Sequence, residues 1–151
     1  WPQARSEALD AVDRKPNLRI YGSDIDGDVL KLARHHAQLA GVDDFVFWQK
    51  LPVAQVRSRF KYGCLICNPP YGERLGDRET AEAAYRDLRS AVGELDSWSI
   101  YVLTNNPRFE RIFRRKADRK RKLYNGRLEV TYYQFYGPPP PRCLPQELKQ
   151  E

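Results

Sequence analysis

The spacing of apolar residues changes several times along this chain, and the changes mark out a succession of strands and helices. Leu18-Arg19-Ile20-Tyr21-Gly22-Ser23 is short and rich in apolar residues, and predicts a strand. After Asp24-Ile25-Asp26, the residues Val29, Leu32, Ala33, Ala37 and Ala40 recur at helical spacing and predict a helix over residues 28–40. Asp26 suits its N-cap and Gly41 its C-cap. Residues 45–49 and 62–67 predict two more strands. The second ends on the unbroken run Cys64-Leu65-Ile66-Cys67, the pattern of a parallel strand buried on both faces. Asn68-Pro69-Pro70-Tyr71-Gly72 then interrupts regular structure.

Beyond that break the pattern predicts a helix over 78–92, a strand over 98–103 and a short helix from Pro107 to Phe113. Residues 3–14 are polar and helix-compatible. Residues 122–124 and 127–135 flank Asn125-Gly126 and predict a hairpin, with Asn-Gly as the two positive-φ residues of the turn. Residues 137–151 hold five prolines, so 138–151 are expected to be a disordered tail and 1–137 a part of one domain. Strands alternating with helices, followed by an antiparallel hairpin, indicate an open α/β sheet. Ligands of such sheets bind at the carboxyl ends of the strands. Both unusual loops, at Asp24 and at Asn68, begin at predicted strand carboxyl ends.

Composition narrows the setting. At 41% hydrophobic and 30% charged, the chain is ordinary for a soluble globular protein. No apolar run nears the roughly 18 residues of a membrane helix, so no membrane partner is expected. Three cysteines do not suggest a disulfide framework, and a cytoplasmic location fits them. The chain starts at Trp1 and contains no Met, which suggests a piece of something longer.

The net charge of +6 is local. Residues 111–122 hold eight Lys and Arg against Asp118 alone, a window of +7, so the rest of the chain is near −1. A polyanion touching one patch is the implied partner, with Arg115, Arg119 and Arg121 as candidate phosphate contacts. Charge runs are also ordinary solvated faces, and Tyr132-Tyr133-Gln134-Phe135-Tyr136 alternates as a core strand does. Two apparent metal signals are weak. Cys64 and Cys67 lie three apart on a strand and face opposite sides, with no second pair to complete a zinc site. His35 and His36 are neighbours on a helix and point about 100° apart. No metal is expected.

The chemistry concentrates in Asn68-Pro69-Pro70-Tyr71. An exocyclic amine on a nucleic-acid base is a poor nucleophile, because its lone pair is delocalised into the ring. Methylating it requires hydrogen-bond acceptors that gather electron density on nitrogen. Asn68 offers a side-chain carbonyl and Pro69 a backbone carbonyl. The prolines fix φ and hold both rigid. Tyr71 offers a flat face for an extruded base.

Three segments together, Ile20-Tyr21-Gly22-Ser23-Asp24-Ile25-Asp26, Cys67 to Gly76, and Arg121-Lys122-Leu123-Tyr124-Asn125-Gly126, resemble the THUMP-associated guanine-N2 methyltransferases of bacterial large-subunit ribosomal RNA. Asn-Pro-Pro-Tyr alone also occurs in adenine-N6 DNA methyltransferases and in glutamine methyltransferases of release factors. Gly72-Glu73-Arg74-Leu75 and the Lys-Leu-Tyr-Asn-Gly block narrow the choice. Glu73 and Arg74 could order the loop through a salt bridge or touch RNA.

The resemblance implies a Rossmann-like class I fold, with S-adenosylmethionine as cofactor and ribosomal RNA as partner. Asp24 would hold the cofactor ribose, Ile25 would pack on its adenine, Gln49 would meet the adenine edge, and Asn68 would border the methyl donor. Asp26 reads better as a helix cap. The fold would be incomplete. The glycine-rich turn and first strand, and the THUMP region before them, belong upstream of the part resembling Trp1. The isolated chain is therefore expected to bind cofactor weakly and to leave apolar sheet flanks exposed. Two other readings use the same residues: an adenine-N6 DNA methyltransferase, and an RNA-binding remnant without catalysis.

Overall fold

Strand pairing and packing divide the chain near Leu51. A computed structural model describes residues 1–12, 18–72 and 77–141, and these fall into two compact units that divide after Leu51.

The first unit contains helix α1 (Pro2–Asp10), strand β1 (Ile20–Asp24), helix α2 (Gly27–Leu39) and strand β2 (Val46–Lys50). β1 and β2 pair in parallel, with Gly22 opposite Trp48 and Ser23 opposite Gln49. A Cβ at Gly22 would stand 2.6 Å from the Trp48 ring, so only glycine leaves room for the indole at this point of β1. α2 begins where the sequence places it, because the Asp26 carboxylate accepts the Asp28 amide at 2.8 Å. Only part of its apolar set is buried. Leu30 and Ala37 are buried, while Val29 and Leu32 are exposed. Positions 30 and 37 are two turns apart on one stripe, and 29 and 32 lie on neighbouring stripes.

The second unit contains β3 (Cys64–Cys67), α3 (Asp77–Val92), β4 (Ser99–Thr104), α4 (Phe109–Phe113), β5 (Arg119–Asn125) and β6 (Leu128–Phe135). Its sheet runs β3-β4-β6-β5, with β3 parallel to β4 and the other pairs antiparallel. One sheet face is the core. Ile100, Val102 and Thr104 of β4 stand opposite Phe135, Tyr133 and Thr131 of β6. Ala81, Tyr85 and Leu88 of α3, at helical spacing, pack in the same core as Phe109 and Phe113 of α4. Phe109 meets four aromatic rings: Tyr85 edge-on, and Phe113, Tyr133 and Phe135. Gly137 closes the unit against backbone, where an added Cβ would lie 2.7 Å from the Ser97 carbonyl oxygen.

Two expectations change. β3 is not buried on both faces: Leu65 and Cys67 pack against the core, whereas Cys64 and Ile66 are exposed, Ile66 by 79%. β3 pairs only with β4, and β1 only with β2, so each leaves an edge unpaired among the described residues. In addition, the hairpin turn does not use Asn125. Asn125 pairs with Leu128, and Gly126 carries the positive φ of +62° with Arg127 beside it. That is the type II′ arrangement, which needs glycine only at its first central position. Residues 138–141 have no regular secondary structure, and the rest of the proline-rich segment lies outside the described residues.

The basic window is divided among elements. Arg111 is in α4, Arg114 ends it in the left-handed region at φ 55°, and Arg119 to Lys122 begin β5. Lys120 bonds Glu110 of α4 at 2.9 Å, and the other Glu110 oxygen accepts the Ala117 amide at 2.8 Å. Burial alone would raise the Glu110 carboxyl, but these two donors outweigh it and its pKa is lowered from 4.5. A lowered carboxylate pKa favours the folded state above the unfolded pKa, and the benefit is lost as pH falls through the folded value. Glu110→Gln is therefore expected to lower the melting temperature at pH 7 and to leave it nearly unchanged at pH 3. Thermal melts at the two pH values check this, and an equal deficit at both would contradict it.

Candidate active site

Two groups of residues predicted from the sequence stand at strand carboxyl ends, one in each unit. In the first, the β1–β2 register brings Asp24, Ile25 and Gln49 to the same end of the parallel pair. Asp24 is half-buried. One of its carboxylate oxygens accepts the Asp26 amide at 2.8 Å, and its carbonyl accepts the Leu51 amide at 3.0 Å. The loop is thus tied at both ends, and Asp24 is held in place while Asp26 caps α2. Ile25 is 66% exposed beside it, and Gln49 is exposed. A fixed carboxylate next to an uncovered aliphatic side chain matches what a sugar joined to a flat base requires: an acceptor for hydroxyls and a surface for the ring. The Trp48 indole N–H is buried with no partner among the described residues.

The second group follows β3. Pro69 is buried, Asn68 and Pro70 are exposed and Tyr71 is half-buried. Gly72 turns the chain at φ 72°. Tyr85 donates its phenol proton to the Pro70 carbonyl at 3.0 Å and lies 2.8 Å from the Thr104 hydroxyl. Thr104 also accepts the Asn106 amide at 3.1 Å. Burial pushes the Tyr85 phenol above its ordinary 10.0, which keeps it protonated and able to donate. Among the described residues no hydrogen bond engages the Asn68 side chain or the Pro69 carbonyl. Of the carbonyls in this turn, that of Pro70 accepts a hydrogen bond from the core and that of Pro69 accepts none among the described residues. The Tyr71 hydroxyl is buried without a partner among the described residues, an arrangement that costs about 1–3 kcal/mol. Glu73 and Arg74 lie outside the described residues.

Sequence reasoning missed Tyr85, Thr104 and Asn106. The available signal was Tyr85 on the buried face of α3, since a buried phenol needs a hydrogen-bond partner.

The candidate phosphate contacts separate into two kinds. Arg115 is engaged: it lies 3.7 Å from Asp118, donates to the Tyr136 carbonyl at 3.3 Å and sits over the Phe135 ring. Arg119 and Arg121 alternate with Lys120 along β5, opposite Gln134 and Tyr132. Both are exposed and have no ion pair among the described residues. Lys120 and Lys122 point to the other face and are paired with Glu110 and Glu129.

Among the described residues no cluster of three His, Cys, Asp or Glu could hold a metal, and no helix is long and apolar enough to cross a membrane. The Cys64 and Cys67 environments differ. Cys64 is exposed, whereas burial pushes the Cys67 thiol up to about 11, that of an inert core cysteine.

Comparison with known proteins gives a consistent result. The model of the UPF0020 family, an RMKL-like methyltransferase domain, matches residues 2–134. YpsC of Bacillus subtilis (strain 168), provisionally named an RNA methyltransferase, is 37% identical over all of this chain, which covers 38% of YpsC. Ribosomal RNA large subunit methyltransferase K/L of Legionella pneumophila (strain Corby) is 36% identical over 88% of the chain, equal to 19% of that protein. The solved structure of SMU.472 complexed with SAH superposes with a TM-score of 0.85 at 40% identity, covering 91% of this chain and 37% of that one. The chain thus spans well under half the length of these relatives. Its fold is the Rossmann-like class I methyltransferase fold, with a sheet that ends in an antiparallel hairpin. From the match over nearly its whole length, the chain belongs to the UPF0020 family of RMKL-like methyltransferase domains.

Proposed function

We propose that the protein carrying this chain transfers a methyl group from S-adenosylmethionine to the exocyclic N2 of a guanine in ribosomal RNA. The observation that carries this reading is the pair of open acceptors, the exposed Asn68 side chain and the Pro69 carbonyl, on a turn whose next carbonyl is already bound. An amine with two N–H bonds needs two acceptors. Asn68 and Pro69 take its protons into hydrogen bonds, which concentrates electron density on nitrogen and orients its lone pair. Tyr71, half-buried beside them, offers its ring to the base. The SAH bound to SMU.472 and the ribosomal RNA named for the K/L relative support the cofactor and the substrate class.

S-adenosylmethionine supplies an electrophilic methyl group on a sulfonium. Asp24 accepts hydrogen bonds from its ribose hydroxyls, Ile25 covers its adenine and Gln49 contacts the adenine edge. These assignments fit a held carboxylate with an uncovered aliphatic neighbour. The protein's part in the reaction is positioning and electrostatics, and no residue has to form a covalent bond. Arg119 and Arg121, unpaired on one face of β5, contact the RNA backbone.

With the full-length protein and undermodified ribosomal RNA, Asn68→Ala is expected to reduce the single-turnover methyl-transfer rate by about 10²- to 10³-fold, the usual loss of one aimed hydrogen-bonding group. A rate within threefold of wild type would contradict the proposal. Changing Arg119 and Arg121 together to Gln is expected to raise KM for RNA, leave kcat near wild type, and lessen the salt dependence of RNA binding by about two phosphate contacts. Binding titrations across a salt series measure this, and an unchanged slope would remove the two arginines from the interface.

A further inference from the structure

The Asn68 turn contains two consecutive prolines and therefore lacks two of the N–H groups by which a loop is normally held. It is held instead by a donor from outside. Pro70 offers only an acceptor, so the single phenolic proton of Tyr85 goes to the Pro70 carbonyl at 3.0 Å. Across the 2.8 Å contact between the two hydroxyls, Thr104 must then be the donor and Tyr85 the acceptor. The Thr104 oxygen in turn accepts the Asn106 amide at 3.1 Å. With Tyr85 donating to Pro70, the chain runs from the Asn106 amide to Thr104, from Thr104 to Tyr85, and from Tyr85 to Pro70, and the Asn106 side chain also hydrogen-bonds the Tyr85 hydroxyl. Tyr85 and Thr104 are fully buried and Asn106 nearly so. Buried bonds of this kind have no competing water, and each link polarises the next.

The three anchors come from separate elements. Tyr85 is on α3, Thr104 is the last residue of β4, and Asn106 follows it. The Tyr85 ring is fixed by edge-on packing against Phe109, 5.2 Å between centroids. Asn106 is braced by the Arg108 amide, which its side-chain oxygen accepts at 2.9 Å. With φ fixed at Pro69 and Pro70, and with the residues before each proline restricted to extended conformations, few torsions remain between the Pro70 carbonyl and Asn68. Fixing the plane of the Pro70 carbonyl therefore fixes the direction of the Pro69 carbonyl and the base of the Asn68 side chain.

We propose that Tyr85, oriented by Thr104, is a positioning residue for methyl transfer: it locks the Pro70 carbonyl so that Asn68 and the Pro69 carbonyl face the substrate amine. This rests on the reading that Asn68 and Pro69 receive that amine. Tyr85 touches neither substrate nor cofactor, and it acts on the rate through the geometry of the turn.

The test uses the full-length protein, tritiated S-adenosylmethionine and ribosomal RNA from cells lacking the gene. Tyr85→Phe keeps the packed ring and removes the proton. Thr104→Val removes the donor to Tyr85, and Thr104→Ser retains it. The expected result is a single-turnover rate about 10- to 100-fold lower for Tyr85→Phe and Thr104→Val, the scale of a misplaced reacting group. Cofactor affinity by calorimetry and KM for RNA should stay within about twofold of wild type, and Thr104→Ser should restore most of the rate. The double variant should be no slower than the slower single one, because both break the same chain. If Tyr85→Phe does not fold, the contrast between Thr104→Val and Thr104→Ser decides. Folded variants with wild-type rates, losses confined to KM, or a Thr104→Ser variant as slow as Thr104→Val would overturn the proposal. The Asn68→Ala enzyme separates the two levels. If it keeps its rate, the acceptor reading itself fails. If it loses its rate while Tyr85→Phe does not, only the positioning role fails.

Discussion

Two adjacent prolines cannot donate a backbone hydrogen bond, and this constraint organises the second unit. A turn without those donors is held either by packing or by a donor reaching in from elsewhere. Here both are used. Pro69 is buried, and the Pro70 carbonyl is bound by a phenol that belongs to the core. The parallel β3–β4 ladder brings the carboxyl ends of the two strands side by side, with Cys67 opposite Val102, and so sets the turn close to Thr104. α3 presents Tyr85 to both through the helical spacing of Ala81, Tyr85 and Leu88. Packing, sheet register and one hydrogen-bond chain thus converge on a short segment that keeps Asn68 exposed.

The basic hairpin shows how a charge run divides once it has a fold. Seen as sequence, Arg111 to Lys122 is a single patch. In the structure, Lys120 and Lys122 face the α4 side and are neutralised by Glu110 and Glu129, while Arg119 and Arg121 emerge on the opposite face. Strand alternation makes this division. Lysines on an outer strand also discourage edge-to-edge pairing, so part of the run serves the fold. Only two of the three arginines singled out from sequence remain unpaired, because Arg115 is committed to Asp118, Tyr136 and Phe135.

The elements were legible wherever periodicity was strong. α3 lies within one residue of its expected start, and the strands at 46–50 and 99–104 within one or two residues. Asp26 as a cap and Asp24 as a strand-end acid could be read because capping and strand-end chemistry are local. Burial was harder to read. The apolar run of Cys64 to Cys67 suggested two covered faces, and the described structure covers one. Periodicity says which residues share a face but not what lies against it. The same limit holds for α2, whose helical spacing was legible while the exposure of Val29 and Leu32 was not. Asn125-Gly126 signalled a hairpin correctly but not the turn type, which follows from a one-residue choice of register. The Tyr85 network was not legible, because its members are separated by 15 and 19 residues and meet only in three dimensions.

The central claim is that the turn from Asn68 to Tyr71 presents a guanine amine for methylation. The most direct measurement is mass spectrometry of nucleosides from large-subunit ribosomal RNA and from DNA, using cells whose chromosomal copy carries Asn68→Ala. The account predicts that N2-methylguanosine falls at one or a few ribosomal positions while N6-methyladenine in DNA is unchanged. Unaltered N2-methylguanosine, or a loss confined to DNA adenine, would contradict it.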